Sequence, residues 1–326
     1  MPGEFELINR YFSFSSLSDD DAVILGVGDD AALIKHAGGP LVVASDSLVE
    51  NVHFFAGTSP ERIATRLAMV NLSDFAAMGA VPRWYTLSLT IKEADERWLE
   101  GFSSSLHEVS TQYGLSLVGG DTCKGPLNVG MTLIGESKKP LRRSGANPGD
   151  DLWVSGELGL GAAALALQDP NSDANKDLSS LTQAAQHELL KHFFEPIPQL
   201  ALGRALAQLA SAAIDVSDGL TADAAHIAEQ SGTHIIIDAG QIPLPSGLKA
   251  VVDHATLLDW SLSGGDDYQL LFTASPGKRS AIEQLGEQLQ VRLTRIGRVD
   301  TEPGAVGAVT IEGDEATRGK GGYQHF

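Results

Sequence analysis

The sequence predicts an α/β fold divided into two domains, and three observations carry that reading. Short apolar, β-branched runs that stop at Gly or Asp alternate with segments of helical periodicity. A stretch rich in Pro, Gly, Asn and Asp, residues 140–151 (PLRRSGANPGDD), interrupts the chain near its middle. The 326 residues also exceed a usual domain of roughly 100–200 residues. In chain order, residues 22–28 (AVILGVG) and 41–46 (LVVASD) read as buried strands leading into loops. Pro60 at a helix start, Ile63, Leu67, Val70 and Met78 at mostly helical spacing, and the stop signals Gly79 and Pro82 predict an amphipathic helix over 60–79. A strand at 84–91, a helix near 94–113 and a strand at 115–118 follow. The order indicates an α/β sandwich rather than strict βαβ winding. We place the domains at 1–142 and 143–326. The second opens with a strand (LWVSG), a Gly/Ala-rich helix start over 156–168 and a polar loop over 169–180. Helices near 182–194 and 198–212, a strand at Ala213–Val216, a helix from about 219 and strands at 234–238 and 268–274 complete it.

Composition excludes several classes. The formal charge is 23 − 42 = −19, with 20% charged and 43% hydrophobic residues, so the chain is acidic yet apolar enough to fold. Such a surface repels phosphate backbones, whose binding depends on Lys and Arg displacing counterions, so a nucleic-acid partner is not expected. The start MPGEFELINRYF lacks the pattern of a secretory signal, and no window holds about 18 uninterrupted apolar residues. A soluble, cytoplasmic protein with no membrane partner is expected. One cysteine, Cys123, rules out an intrachain disulfide framework and a thiolate zinc cluster.

The aspartates are the chemical signal. Asp29 and Asp30 in GVGDDAA, Asp46 in ASDSLVENVHF, Asp74 in NLSDFAAMGA, Asp121 in GGDT, Asp215 and Asp218 in DVSDGL, and Asp266 and Asp267 in SGGDDY sit among Gly, Ala, Ser and apolar residues. Most fall just beyond a strand or on a helix. Any one of them has an ordinary explanation as an Asp-Gly turn or a helix cap. Their recurrence does not, because like charges at the ends of one sheet repel unless a cation sits among them. Mg²⁺, which takes a few carboxylates together with substrate phosphates, is the natural partner and would let an acidic protein hold a polyanion.

Two glycine-rich segments fit the relaxed G-x-G-x-x-A pattern, Gly26–Ala31 and Gly159–Ala164. In the first, paired carboxylates stand where a pyrophosphate needs bare N–H groups, and a metal loop fits better. The second is open between a phosphate-facing helix start and close helix–sheet packing. A G-x-x-x-x-G-K-[ST] loop, the protein-kinase motifs and the G-x-S-x-G elbow are missing from the sequence.

Taken together, GVGDDAA (26–32), SDSLVENVHF (45–54), NLSDFAAMGA (71–80), GGDT (119–122), RRSGANPGD (142–150), DVSDGL (215–220) and SGGDDYQLLF (263–272) resemble the thiamine-monophosphate kinase family. That family lies within the superfamily of aminoimidazole ribonucleotide synthetase and selenophosphate synthetase, and the likeness runs in order from Phe5 to Phe326. The resemblance implies a two-domain aminoimidazole-ribonucleotide-synthetase-like fold. Its N-terminal half would form a β-barrel at a homodimer interface, and its C-terminal half an α/β domain. It implies Mg²⁺-assisted, ATP-dependent phosphorylation of thiamine monophosphate to thiamine diphosphate, with no catalytic side chain. Carried over by motif, Asp30, Ser45, Asp46, Asp74, Asp121, Asp215 and Asp218 would hold several Mg²⁺ ions. Tyr113, Gly120, Asp121, Arg143 and Ser217 would meet ATP, and His53, Asp266 and Tyr323 the thiamine part. On sequence alone His53 also reads as a core histidine, Arg143 as a solvated linker charge and Tyr113 as a packing residue. The chain departs from the family at Asp266, where Glu is usual, at Cys123, where Thr is common, and in GELGLG (156–161), which lacks the usual Asp-Ser. Other superfamily chemistries stay in view, aminoimidazole ribonucleotide synthetase above all, since the reactive cysteines of the selenophosphate and hydrogenase-maturation branches are missing here. A non-catalytic metal- or nucleotide-binding module is the remaining alternative.

Overall fold

A computed structural model of the chain describes residues 10–11, 23–25, 33–34, 36, 40–301 and 307–313. Two compact units divide it, one of Met1–Phe75 with Ala80–Lys138, the other of Ala76–Gly79 with Lys139–Phe326. Within the first, strands β1 (Val23–Leu25) and β2 (Leu33–Ile34) pair antiparallel. A four-stranded sheet carries the rest: β3 (Leu41–Val49), β4 (Val81–Ile91), β5 (Ser116–Lys124) and β6 (Asn128–Glu136), in the order β3-β6-β4-β5. β4 and β5 run parallel and the other pairs antiparallel. The parallel pair requires a crossover, supplied by helix α2 (Glu96–Tyr113). Asp95 caps that helix, its carboxylate accepting from the amides of Arg97 (2.9 Å) and Trp98 (3.4 Å), and Gly114 ends it at φ 67°. Helix α1 (Pro60–Ala77) starts on the expected proline.

Alternation assigns the two faces of this sheet. Val42, Leu48, Tyr85, Leu87, Leu89, Met131 and Leu133 are buried. On that side the Tyr85 hydroxyl meets Ser110 of α2 at 2.9 Å, and the Asp46 amide donates to Asn71 of α1 at 3.1 Å. Residues between them, Ser45, Ser47, Thr86, Ser88 and Thr132, lie on the other face, which is open.

The second unit holds β7 (Asp151–Ser155), α3 (Leu160–Gln168), α4 (Asn175–Leu178), α5 (Gln183–Phe194), α6 (Leu200–Leu206), β8 (Ala212–Asp215) and α7 (Leu220–Ser231). It continues through β9 (His234–Asp238), α8 (His254–Ser263), β10 (Leu270–Ala274), α9 (Arg279–Leu289), β11 (Leu293–Asp300) and β12 (Val309–Glu312). Its sheet has the order β12-β9-β11-β7-β10-β8, with β12 parallel to β9 and every other pair antiparallel. β7 is buried at every position, as a strand covered on both faces must be. Leu152 and Val154 join one core with Ile214, Ile237, Leu271 and Phe193, while Trp153 joins a second with Phe272, Leu206 and Ile282.

Several boundaries differ from the sequence reading. The helix expected over 198–212 ends at Leu206, because Ala212–Ala213 pair with Thr273 and Phe272 in the sheet and tertiary pairing overrides alanine's helical preference. The 169–180 loop contains the one-turn helix α4, fastened to α3 by the Asn175 side chain, which donates to the Leu167 carbonyl at 2.8 Å. The strand expected from 268 begins at Leu270, since Asp266 and Tyr268 are left-handed (φ 59° and 51°). The strand expected to stop at 118 runs on to Lys124, paired with β4 throughout.

Candidate functional site

In the first unit, pairing across the sheet sets the geometry. Ser47, Gly130, Ser88 and Asp121 are successive neighbours in one row, and Ser45, Thr132, Thr86 and Gly119 in the next. These rows floor a cavity of about 340 Å³ lined by Ser45, Ser47, Thr86, Ser88, Asp121 and Thr132 together with Gly120 and Gly130. The Ser45 hydroxyl lies 2.9 Å from that of Thr132. Gly120 has a backbone reason as well, since a Cβ there would lie 2.0 Å from the Leu87 carbonyl oxygen. Ser45, Gly120 and Asp121 are therefore gathered. Asp46 is not gathered with them, because adjacent residues of a strand point to opposite faces and Asp46 pairs with Met131 on the helix-covered side. Asp74 follows Asn71 by three residues on α1, and so shares that side. The strand expected to end at Asp46 runs on to Val49, and Asp121, expected just beyond a strand, lies inside β5.

His53, in the turn after β3, accepts from the Val49 amide at Nδ1 (3.0 Å), which puts the proton of a neutral ring on Nε2. Tyr113 ends α2 half-buried, and burial pushes its hydroxyl above the ordinary tyrosine range. Asp30 and Tyr323, with the whole GVGDDAA segment, lie outside the described residues.

In the second unit three loops interlock. DVSDGL brings Asp215, at the end of β8, beside Asp218 and Asp223. Asp223 was not singled out by the sequence, although an acid in an alanine-rich first helical turn is the available signal. Its carboxylate accepts from the amides of Ser217 (3.0 Å) and Asp218 (3.1 Å) and so shapes the turn. Burial first, then the charges of Asp215 and Asp218, push Asp223 up to about 8. GELGLG turns into α3, and the buried Asp267 carboxylate accepts there from the amides of Gly159 (2.7 Å) and Gly161 (3.1 Å). The open question about this loop is thereby answered: a carboxylate of the chain itself sits at the helix start. SGGDDY is the third loop; its Asp266 amide donates to the Ser217 carbonyl (2.8 Å) and its Tyr268 amide to that of Val216 (2.8 Å). A cavity of about 210 Å³ opens here, lined by Glu157, Leu160, His192, Asp266, Asp267 and Gln269 with Gly156 and Gly161. Desolvation holds His192 below the usual histidine range. Arg143 is exposed, with its carbonyl accepting from Ser231 (3.1 Å).

Among the described residues no three His, Cys, Asp or Glu side chains are arranged to hold a metal ion by themselves. The donor set still fits Mg²⁺, which favours one or two carboxylates plus substrate phosphates and water over an all-protein cage. The mutual repulsion of Asp215, Asp218 and Asp223 is the imbalance such a cation relieves.

An acid- and hydroxyl-lined mixed sheet in one unit, and a helix-covered sheet with three interlocked Asp/Gly loops in the other, define the class of AIR synthase related proteins. The family profile of the N-terminal domain matches residues 28–137 and that of the C-terminal domain residues 147–309. Thiamine-monophosphate kinase of Salmonella typhimurium is 39% identical over 327 residues, covering 99% of this chain and 98% of that relative. The crystal structure of thiamine-monophosphate kinase from Stenotrophomonas maltophilia K279a superposes with a TM-score of 0.85 at 39% identity, over 96% of this chain and 98% of that one. The structure of AaThiL complexed with AMPPCP and TMP does so with a TM-score of 0.76 at 29% identity, over 99% and 97%. The chain belongs to the thiamine-monophosphate kinase family.

Proposed function

We propose that this chain transfers the γ-phosphoryl group of ATP directly to the phosphate of thiamine monophosphate, giving thiamine diphosphate and ADP. The observation that carries the reading is the 39% identity over 99% of the chain to a thiamine-monophosphate kinase. A relative complexed with AMPPCP and TMP supports it. A phosphate oxygen of the acceptor attacks the γ-phosphorus while the bond to the β–γ bridging oxygen breaks and ADP departs. That acceptor is largely ionised near neutral pH, its second pKa being about 6, so no side chain need remove a proton. The task left to the protein is alignment and charge neutralisation. Mg²⁺, when bound, would screen the ATP polyphosphate and the acceptor phosphate from one another and stabilise charge on the oxygens in transfer.

In this reading Asp30, Ser45, Asp46, Asp74, Asp121, Asp215 and Asp218 hold several Mg²⁺ ions, Asp46 and Asp74 from the side of the sheet opposite Ser45 and Asp121. Tyr113, Gly120, Asp121, Arg143 and Ser217 hold ATP, and His53, Asp266 and Tyr323 hold the thiamine part. The hydroxyl rows beside Asp121 suit phosphate oxygens, and an acceptor-only carboxylate at Asp266 suits the donor-bearing, cationic heterocycles of thiamine. The domain 1–142 carries metal, nucleotide and dimer contacts, and 143–326 is the α/β partner domain. The open face of the four-stranded sheet exposes Leu41 (47%) and Val43 (60%), in keeping with a homodimer in which two such sheets complete a barrel. We place the reaction in the cytoplasm, in keeping with its need for ATP; among the described residues no helix is long and apolar enough to cross a membrane.

The test incubates the purified protein with ATP, Mg²⁺ and thiamine monophosphate and follows ADP and thiamine diphosphate together. Equal amounts of both are expected, lost with EDTA and in Asp74→Asn. ADP without thiamine diphosphate would point to another acceptor of the superfamily, and neither product to a binding module.

A further inference from the structure

Asp266 lines the second unit's cavity, but its side chain is short, so where it points is decided by its backbone and by whatever grips its carboxylate. Both are held. Asp266 and Tyr268 are left-handed at φ 59° and 51°, conformations uncommon outside glycine. Such conformations persist only where the surroundings over-determine them, and they cluster at ligand clamps. Here the surroundings are two backbone bonds to the DVSDGL loop, Asp266 to Ser217 and Tyr268 to Val216, each 2.8 Å. On the other side the Asp267 carboxylate is fixed by the Gly159 and Gly161 amides. Space is equally constrained: a Cβ on Gly265 would lie 2.4 Å from the Ser217 carbonyl oxygen, and one on Gly161 2.5 Å from that of Asp266. Within this clamp the Tyr268 hydroxyl donates to Asp266 Oδ1 at 3.1 Å. That bond sets the rotation of the carboxylate about its last torsion, which the backbone alone leaves undetermined.

We infer that Tyr268 is a positioning residue for substrate recognition, orienting the Asp266 carboxylate toward the cationic heterocyclic part of the acceptor, with Asp267 anchoring the segment that carries both. The inference rests on the proposed kinase reading and on Asp266 facing the thiamine part. Acting through Asp266, Tyr268 is expected to affect the KM of one substrate, and that effect is expected to disappear when Asp266 loses its charge.

A double-mutant cycle tests this: wild type, Tyr268→Phe, Asp266→Asn and the double variant, with KM for each substrate and kcat measured at saturating co-substrate, and melting temperatures recorded. Tyr268→Phe is expected to raise KM for thiamine monophosphate about three- to tenfold, the range of one hydrogen bond. KM for ATP and kcat stay within about twofold, and the double variant is no worse than Asp266→Asn alone. A loosened fold would instead move both KM values and the melting temperature. An unchanged KM for thiamine monophosphate in Tyr268→Phe, or additive losses, overturns the inference while normal wild-type turnover leaves the kinase reading standing. If the wild type makes no thiamine diphosphate, both fall. Should Tyr268→Phe not fold, Asp267→Asn, which keeps the shape and one amide contact, carries the test: a rise confined to KM for thiamine monophosphate supports the anchor, and equal changes for both substrates refute it.

Discussion

Asp267 shows how one buried group ties chemistry to stability. Burial, then the charge of Asp266, push its carboxyl up to about 7 from 3.8, against the pull of the Gly159 and Gly161 amides. The folded state therefore keeps a proton that the unfolded state has released. Its contribution is whole below about pH 4 and is lost as pH rises through about 7. The melting temperature of the ligand-free protein is thus expected to fall between those values. Asp267→Asn, which cannot titrate, should show a shallower fall, and an identical pH profile would disprove the assignment. Gly120 makes the complementary point about sterics. With a Cβ 2.0 Å from the Leu87 oxygen, Gly120→Ala forces the parallel pair apart and should cost about 2–3 kcal/mol in urea unfolding. The aspartates were legible because each sits in an apolar or glycine-rich context that ordinary surface acids avoid. Asp223 and Tyr268 were not, because their work is done through hydrogen bonds, to Ser217 and Asp218 in one case and to Asp266 in the other, and spacing does not encode these.

Elements with their own punctuation could be read from the chain. Pro60 with Gly79 bounded α1, and α2 ended at Tyr113 as its periodicity required. The Asp95 cap supports a direct measurement: Asp95→Ala should cost about 1 kcal/mol in denaturant unfolding, and no loss would mean the cap is redundant. Elements fixed by distant partners resisted reading. β6 alternates Val129, Met131 and Leu133 with smaller residues, but Ile134 and Gly135 blur the period. α9 and β11 are secured by Arg279 and Arg295, which both reach Asp151 (2.6 and 3.3 Å), more than a hundred positions earlier in the chain. GELGLG stayed ambiguous for the same reason, since the carboxylate that occupies its helix start comes from residue 267.

For the whole molecule, the division into two α/β units followed from the turn-rich stretch at 140–151, whereas strand order did not, since pairing is decided by topology. The proposed dimer belongs to this scale. Val43 is 60% exposed on the open sheet face, so Val43→Glu should leave the fold of one chain intact while setting like charges across a paired face. Sedimentation at micromolar concentration is expected to show the mass halved relative to wild type, and an unchanged mass would remove this face from the interface. The order of the second sheet also has a temporal meaning. The first unit's sheet is complete once residue 136 has been made, but β7, near the centre of the other, waits for β10 and β11, through Asp300. During synthesis the amino-terminal unit can settle while Leu152, Trp153 and Val154 are still uncovered. Refolding of the carboxyl-terminal unit is therefore expected to be the slower phase and the one more exposed to self-association.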